Sequence, residues 1–303
     1  MITCAHNTSA SLPKGKHLSL DDNDLFKNFN SSNKQNNNQL SFEQKVTNLR
    51  KYIDSHKVSW TEGCDTLSIS RDNVLKESME KINFVDLLKE LKIDFKGEVS
   101  YDAGGIIREW FMVIINELES NELGIFEKSD CDDYSFVPKR GLKASQKNLD
   151  YFSFIGRIIA KALIDNITIN LCFNKIIYKM IIDENISFED MKFIDKPLYI
   201  SLNELKNMDQ NVLADLCMYY VYEYNDENGK FVSEDLIPNG SDTLVRDIDD
   251  YIQKRIDYIK KKYQPFIDEL KTALFHVRII LIIFIFFIFN NIACSKIYFN
   301  AIK

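Results

Sequence analysis

The stretch Phe95-Lys96-Gly97-Glu98-Val99-Ser100-Tyr101-Asp102-Ala103-Gly104-Gly105-Ile106-Ile107-Arg108-Glu109-Trp110-Phe111 reads as the entry to a core helix. An aspartate at position 102 can accept from the free amides at a helix start, and Gly104-Gly105 permits a tight turn into it. From Arg108 to Leu118 the residues Trp110, Ile114 and Leu118 fall on one helical face. Ahead of the glycines, Lys92 to Val99 alternates enough for a short strand. Gly104-Gly105 is not a phosphate loop, because neither a G-x-G-x-x-G pattern nor a following Lys-Ser/Thr pair is present.

Working outward, a second helix is expected from about Leu149 to Leu163, with Phe152, Ile155, Ile159 and Leu163 as its apolar stripe. Val221 to Phe231 reads as strand, turn and strand around Asn225-Asp226 and Asn228-Gly229. Helical periodicity with short polar breaks runs from Phe42 to about Thr272, so the expected fold class is α+β, predominantly α, with small β ribbons. Residues 1–41 are rich in Asn and Ser and poor in large apolar side chains; such a segment cannot bury enough surface to offset its ordering entropy, and a disordered leader is expected. Beyond Thr272 the residues 273–303 form an apolar, divergent tail. Its uninterrupted run, Ile279 to Phe289, is about half of the ~20 residues that cross a bilayer as a helix. With Arg278 snorkelling to headgroups, a membrane segment from about Ala273 to Ala293 stays open beside a buried tail.

Charge and cysteine usage exclude several classes. The formal charge is −7 and no arginine-rich stripe occurs, which disfavours nucleic acid as a partner, since phosphate binding needs clustered cations. Cys4, Cys64, Cys131, Cys172, Cys217 and Cys294 show no C-x-x-C spacing, so reduced thiols in a cytoplasmic or nuclear setting are expected. His6, His17, His56 and His276 lie far from one another and from paired cysteines, and neither a metal nor a cofactor is expected. Asp102, Arg108, Glu109 and Arg157 are of the types that build acid–base or anion sites. Helix capping and internal pairing are the preferred reading, because buried charges need partners.

The Phe95–Phe111 segment resembles the F-x-G-E-x-x-x-D-x-G-G-x-x-R-E-W-F signature of the amino-terminal lobe of HECT-domain ubiquitin ligases. Tyr151-Phe152-Ser153-Phe154-Ile155-Gly156-Arg157-Ile158-Ile159-Ala160-Lys161-Ala162-Leu163 is similar to the family's Y-F-x-F-I-G-R-x-x-x-x-A-L block. Shorter matches occur at Ser70–Leu75, Pro197–Leu202 and Leu236–Gly240. The resemblance implies a HECT amino-terminal lobe over residues 42–272, with a subdomain near 185–255 that docks a ubiquitin-conjugating enzyme in a hydrophobic groove. By position that groove would use Leu198, Leu202, Leu205, Met208, Leu216, Met218 and Tyr251. Leu198, Leu202, Leu205 and Met208 recur at helical spacing, Leu216 and Met218 are expected on a strand, and Tyr251 on the next helix.

The implied chemistry is ubiquitin transfer to a protein substrate, with ubiquitin carried as a cysteine thioester. That nucleophile sits in a carboxy-terminal lobe, which the residues after about Phe266 do not resemble. Cys294 has apolar flanks that would blunt a thiol, and no catalytic residue is assigned. The expectation is therefore a family member that docks a conjugating enzyme without itself forming the thioester. A non-catalytic or membrane-tethered scaffold for conjugating enzymes is the alternative.

Overall fold

The computed structural model describes residues 42–98, 103–120, 122–129, 135–208, 215–226 and 229–275. The expected leader, Asp102, the apolar run 279–289 and Cys294 lie outside them. Two units, 1–47 and 48–303, are distinguished, with helix α1 (Phe42–His56) crossing their boundary; every contact below belongs to the second.

Strands β1 (Cys64–Ile69) and β2 (Glu90–Phe95) pair in parallel, Cys64 opposite Glu90 and Ile69 opposite Phe95. Parallel neighbours need a crossover, and helix α2 (Val74–Lys81) lies within it. Along β2, Leu91, Ile93 and Phe95 are buried while Glu90, Lys92 and Asp94 are exposed, the period of a strand with one face on the core. The alternation expected at Lys92–Val99 is thus real but sits earlier. The chain turns at Gly97, whose φ of 85° suits a residue without a Cβ.

Helix α3 (Ala103–Leu118) takes Gly104 and Gly105 into its first turn, rather than leaving them in a preceding turn. It buries Trp110, Phe111, Ile114, Ile115 and Leu118. The Trp110 indole N–H has a buried acceptor, donating to Ser78 Oγ on α2 at 2.9 Å. Glu109 does not face a reaction centre: Arg71 joins it to Glu98, and the Arg71 guanidinium lies 4.1 Å from the Phe95 ring centroid. Arg108 is exposed.

Strands β3 (Phe126–Lys128) and β4 (Phe136–Pro138) form an antiparallel ribbon. Helix α4 (Gln146–Ile164) is capped by Ser145 and runs through the core, as its sequence predicts. The last helix, α7 (Ile248–Phe275), packs along it. At their contact a Cβ placed on Gly156 would stand 2.7 Å from both the Cβ of Ala273 and the carbonyl oxygen of Leu270, closer than Cβ atoms come. Phe152 and Phe266 meet in the same seam at 4.8 Å between ring centroids.

Two cations of α4 hold the crossover instead of a ligand. Arg157 donates to the carbonyls of Ile82 and Val85 at 2.8 and 3.1 Å. Lys161, fully buried, donates to those of Leu87 and Lys89 and pairs with Asp165 at 3.0 Å. The segment Ile82–Lys89 carries several carbonyls outside helix and strand, and these cations supply donors to them, although the Arg157 Nε has no acceptor of its own among the described residues. Burial holds both Arg157 and Lys161 below their ordinary pKa values.

Candidate functional site

A docking surface is to be sought in the segment after α4, and the chain secures that segment first. Helix α5 (Lys175–Ile181) opens at Asn174, whose amide donates to Ser129 Oγ and to the carbonyl of Phe193. Ser129 Oγ donates to the same carbonyl at 2.6 Å. Phe193 ends a 3-10 turn, Phe188–Phe193, that starts on a capping box between Ser187 and Asp190. Lys179 pairs with buried Asp190 at 2.8 Å, and that cation together with the Ser187 hydrogen bonds outweighs burial and holds the carboxyl below its ordinary range. These contacts fix where helix α6 (Lys196–Lys206) begins. Asp195 caps it, accepting from Leu198 N at 2.9 Å, and Pro197 sits in its first turn, where no intrahelical donor is needed.

Strands β5 (Val221–Asn225) and β6 (Phe231–Asp235) form the expected hairpin, Val221 opposite Asp235 and Asn225 opposite Phe231. A ladder of rings clamps it to α7. Tyr222 stacks on Tyr258 at 4.6 Å, and the Arg255 guanidinium lies 4.7 Å from the Tyr222 centroid and 5.6 Å from that of Tyr251. Arg255 also donates to the Val221 carbonyl and to the Tyr251 hydroxyl. Tyr224 donates to Glu234, which Lys262 pairs with at 2.6 Å. Burial, and then the carboxylates they face, push the hydroxyls of Tyr220 and Tyr224 up to about 12, so both are donors at neutral pH.

The first turn of α7 gathers the rest. Lys206, at the end of α6, pairs with Asp249 at 2.7 Å, and Tyr220 donates to Asp250 at 2.9 Å. Val245 N donates to the carbonyl of Met218, and Tyr219 bridges Leu244 in an antiparallel pair. Gly240 makes this close approach feasible, since a Cβ there would stand 2.2 Å from the Tyr220 carbonyl oxygen.

The seven residues expected in a groove divide. Met208 and Leu216 are 45 % and 48 % exposed; Leu198, Leu205 and Met218 are half-buried against the core. Leu202 is 1 % exposed and Tyr251 6 %, so both side chains lie in the core rather than at the surface where the groove expectation put them. Helix α6 packs against the Phe188–Phe193 turn and against α7, with Leu202 in the core cluster, and the Tyr251 ring is packed against Tyr220 at 5.7 Å and near Arg255. Leu216 and Met218 are also not on a strand; Leu216 lies in a turn and Met218 just ahead of the Tyr219 bridge. Two surface residues were not foreseen. Tyr219 is 41 % and Leu244 37 % exposed, and they come together only through a pairing 25 residues apart, which helical spacing cannot reveal.

Among the described residues no group of three or more His, Cys, Asp or Glu side chains could hold a metal ion, and no helix is long and apolar enough to cross a membrane. Met208, Leu216, Tyr219 and Leu244 are among the large apolar side chains that this part of the fold leaves exposed.

Comparison with known proteins decides the family. Residues 112–286, more than half of the chain, match the model of the HECT domain (ubiquitin-transferase). The chain belongs to the HECT family. The matched stretch starts immediately after Phe111 and takes in the Tyr151–Leu163 block and the whole candidate surface. The HECT chain is 28% identical over 241 residues to the E3 ubiquitin-protein ligase ptr1 of Schizosaccharomyces pombe, covering 78% of this chain and 7% of that protein. It is 31% identical over 215 residues to the E3 ubiquitin-protein ligase Nedd-4 of Drosophila melanogaster, covering 67% of this chain and 21% of the relative. With the E3 ubiquitin-protein ligase HUWE1 of Mus musculus it shares 31% identity over 212 residues, 68% of this chain and 5% of that one. The HECT chain thus corresponds to a small part of each of these relatives. Its mainly helical fold with two-stranded ribbons is that of a HECT amino-terminal lobe.

Proposed function

We propose that this HECT chain docks a ubiquitin-conjugating enzyme through the surface that carries Leu205, Met208, Leu216, Met218, Tyr219 and Leu244, as a step toward ubiquitin transfer to a protein substrate. The observation that carries the reading is the convergence at the first turn of α7. Lys206 and Tyr220 are held by the adjacent Asp249 and Asp250, so Met208 and Tyr219, each within two residues of those anchors, flank one point of the surface. An apolar or aromatic side chain of the partner has exposed Met208, Leu216, Tyr219 and Leu244 to rest on, and methionine adapts its shape to such an anchor. The docking setting is read as cytoplasmic, on the strength of cysteines without C-x-x-C spacing.

The test is a titration of the chain with conjugating enzymes. Binding is expected, with Met208→Ala and Leu216→Ala each weakening it by roughly tenfold or more, as truncation of a central contact does, and leaving thermal unfolding unchanged. Equal affinity in both variants and the parent would remove the assignment.

A further inference from the structure

The charge of this molecule is unevenly placed. Residues 185–255 contain fifteen Asp and Glu against seven Lys and Arg, a net of −8, whereas the whole chain carries −7; the other residues together are at +1. The negative charge of the protein is therefore that of the docking segment.

Much of this charge is tied up within the fold. Asp190 is paired with Lys179, Asp249 with Lys206, and Glu234 with Lys262. Asp195 and Asp247 accept from backbone amides at helix starts. Asp215 and Asp242 differ: both are exposed, and among the described residues neither has an ion pair. Each stands within two residues of an exposed apolar side chain, Asp215 beside Leu216 and Asp242 two before Leu244. Exposed Arg246 is the one cation among residues 240–250, set against Asp242, Asp247, Asp249 and Asp250.

Resting on the docking reading above, we propose that Asp215 and Asp242 form an acidic rim to the apolar surface and select, among conjugating enzymes, those whose contact face sets basic side chains around an apolar anchor. Charge complementarity names the partner. Apolar side chains supply the contact, while unpaired carboxylates at its edge attract a basic face during approach and repel an acidic one. A second copy of this chain brings the same acidic docking segment, net −8, and the residues outside it sum to only +1, so a separate basic protein is the better match in charge. The carboxylates do not constitute a cation site, as they are spread along the surface and no cluster of ligands is formed among the described residues.

The experiment measures association and dissociation rates of the chain with two conjugating enzymes, one with a basic and one with an acidic contact face. Ionic strength is raised from about 0.1 M to about 1 M, over which the screening length falls from about 10 Å to about 3 Å. The basic-faced enzyme is expected to bind more tightly at low salt and to lose affinity as salt rises, mainly through a slower association rate. The double variant Asp215→Asn, Asp242→Asn should lower its association rate severalfold at low salt and flatten the salt dependence. Met208→Ala should raise the dissociation rate and leave the salt slope intact. Binding that is indifferent to salt, or unaltered in the double Asn variant, overturns the rim and leaves docking standing. No binding of either enzyme at low salt overturns both.

Discussion

Gly156 of α4 faces Ala273 of α7 so closely that a Cβ on the glycine would lie 2.7 Å from the alanine's own. The Leu270 carbonyl oxygen, equally near, is backbone within the closing turns of α7 and cannot swing aside as a side chain could. Gly156→Ala is therefore expected to push the two helices apart and to lower stability by about 1–3 kcal/mol, in spite of alanine's better helix propensity. Denaturant titration of the two proteins measures it; a more stable variant would show that the seam is loose.

Leu202 lies within α6 and Met208 two residues beyond its end; both were expected to face a partner, yet one is in the core and the other is not. Leu202→Ala should cost about 2–5 kcal/mol in unfolding free energy through the cavity it leaves. Met208→Ala should stay within about 0.5 kcal/mol of the parent, as surface changes do. Reversed stabilities would place the docking face on the other side of α6.

Gly240 has no room for a side chain beneath the Tyr220 carbonyl. Gly240→Ala is expected to break the contacts in which Tyr220 N donates to Gly240 O and Leu236 N to Tyr220 O, and with them the register of Tyr219 against Leu244. Faster hydrogen exchange at the Tyr220 and Leu236 amides, together with weaker binding of conjugating enzyme, is the anticipated pair of signals. Unchanged exchange at both amides would contradict it.

Glu77 of α2 is held at about 2, from an ordinary 4.5, by hydrogen bonds from Lys81 and Lys96. A carboxyl with a depressed folded-state pKa contributes stability that is fully present above 4.5 and is lost as the pH falls toward about 2. Glu77→Gln should thus be less stable than the parent at neutral pH, with the difference shrinking through that window and vanishing below it. Unfolding midpoints recorded across the acid range would reveal it; a gap that is constant with pH would mean the loss comes from the Ser70 amide contact instead.

Local signals carried much of this fold into the sequence. The stripes of α3 and α4 and the hairpin turn of β5 and β6 depend on neighbours three, four or two residues away, so spacing alone exposes them. Strand β1 was not foreseen, because it pairs in parallel with a strand reached through a helix, and Cys64–Ile69 has no alternation strong enough to announce it. For the surface, the spacing of Leu198, Leu202 and Leu205 shows a stripe but not which of its members look outward. That depends on what packs against α6, including α7 from elsewhere in the chain, and Leu202 is the member found buried. Tyr219 and Leu244 acquire their shared position only when Val245 N meets Met218 O.

Helix α7 has 28 residues and, at 1.5 Å per residue, a length of about 42 Å. Its opening turn grips the apolar face through Asp249 and Asp250, and its closing turns lie in the Gly156 seam. Pro265 interrupts the hydrogen-bond ladder between these two ends. Proline at that place has no amide hydrogen to offer the carbonyl four residues earlier, so along this rod the backbone is least restrained between the end that faces the apolar surface and the end that lies in the interior seam.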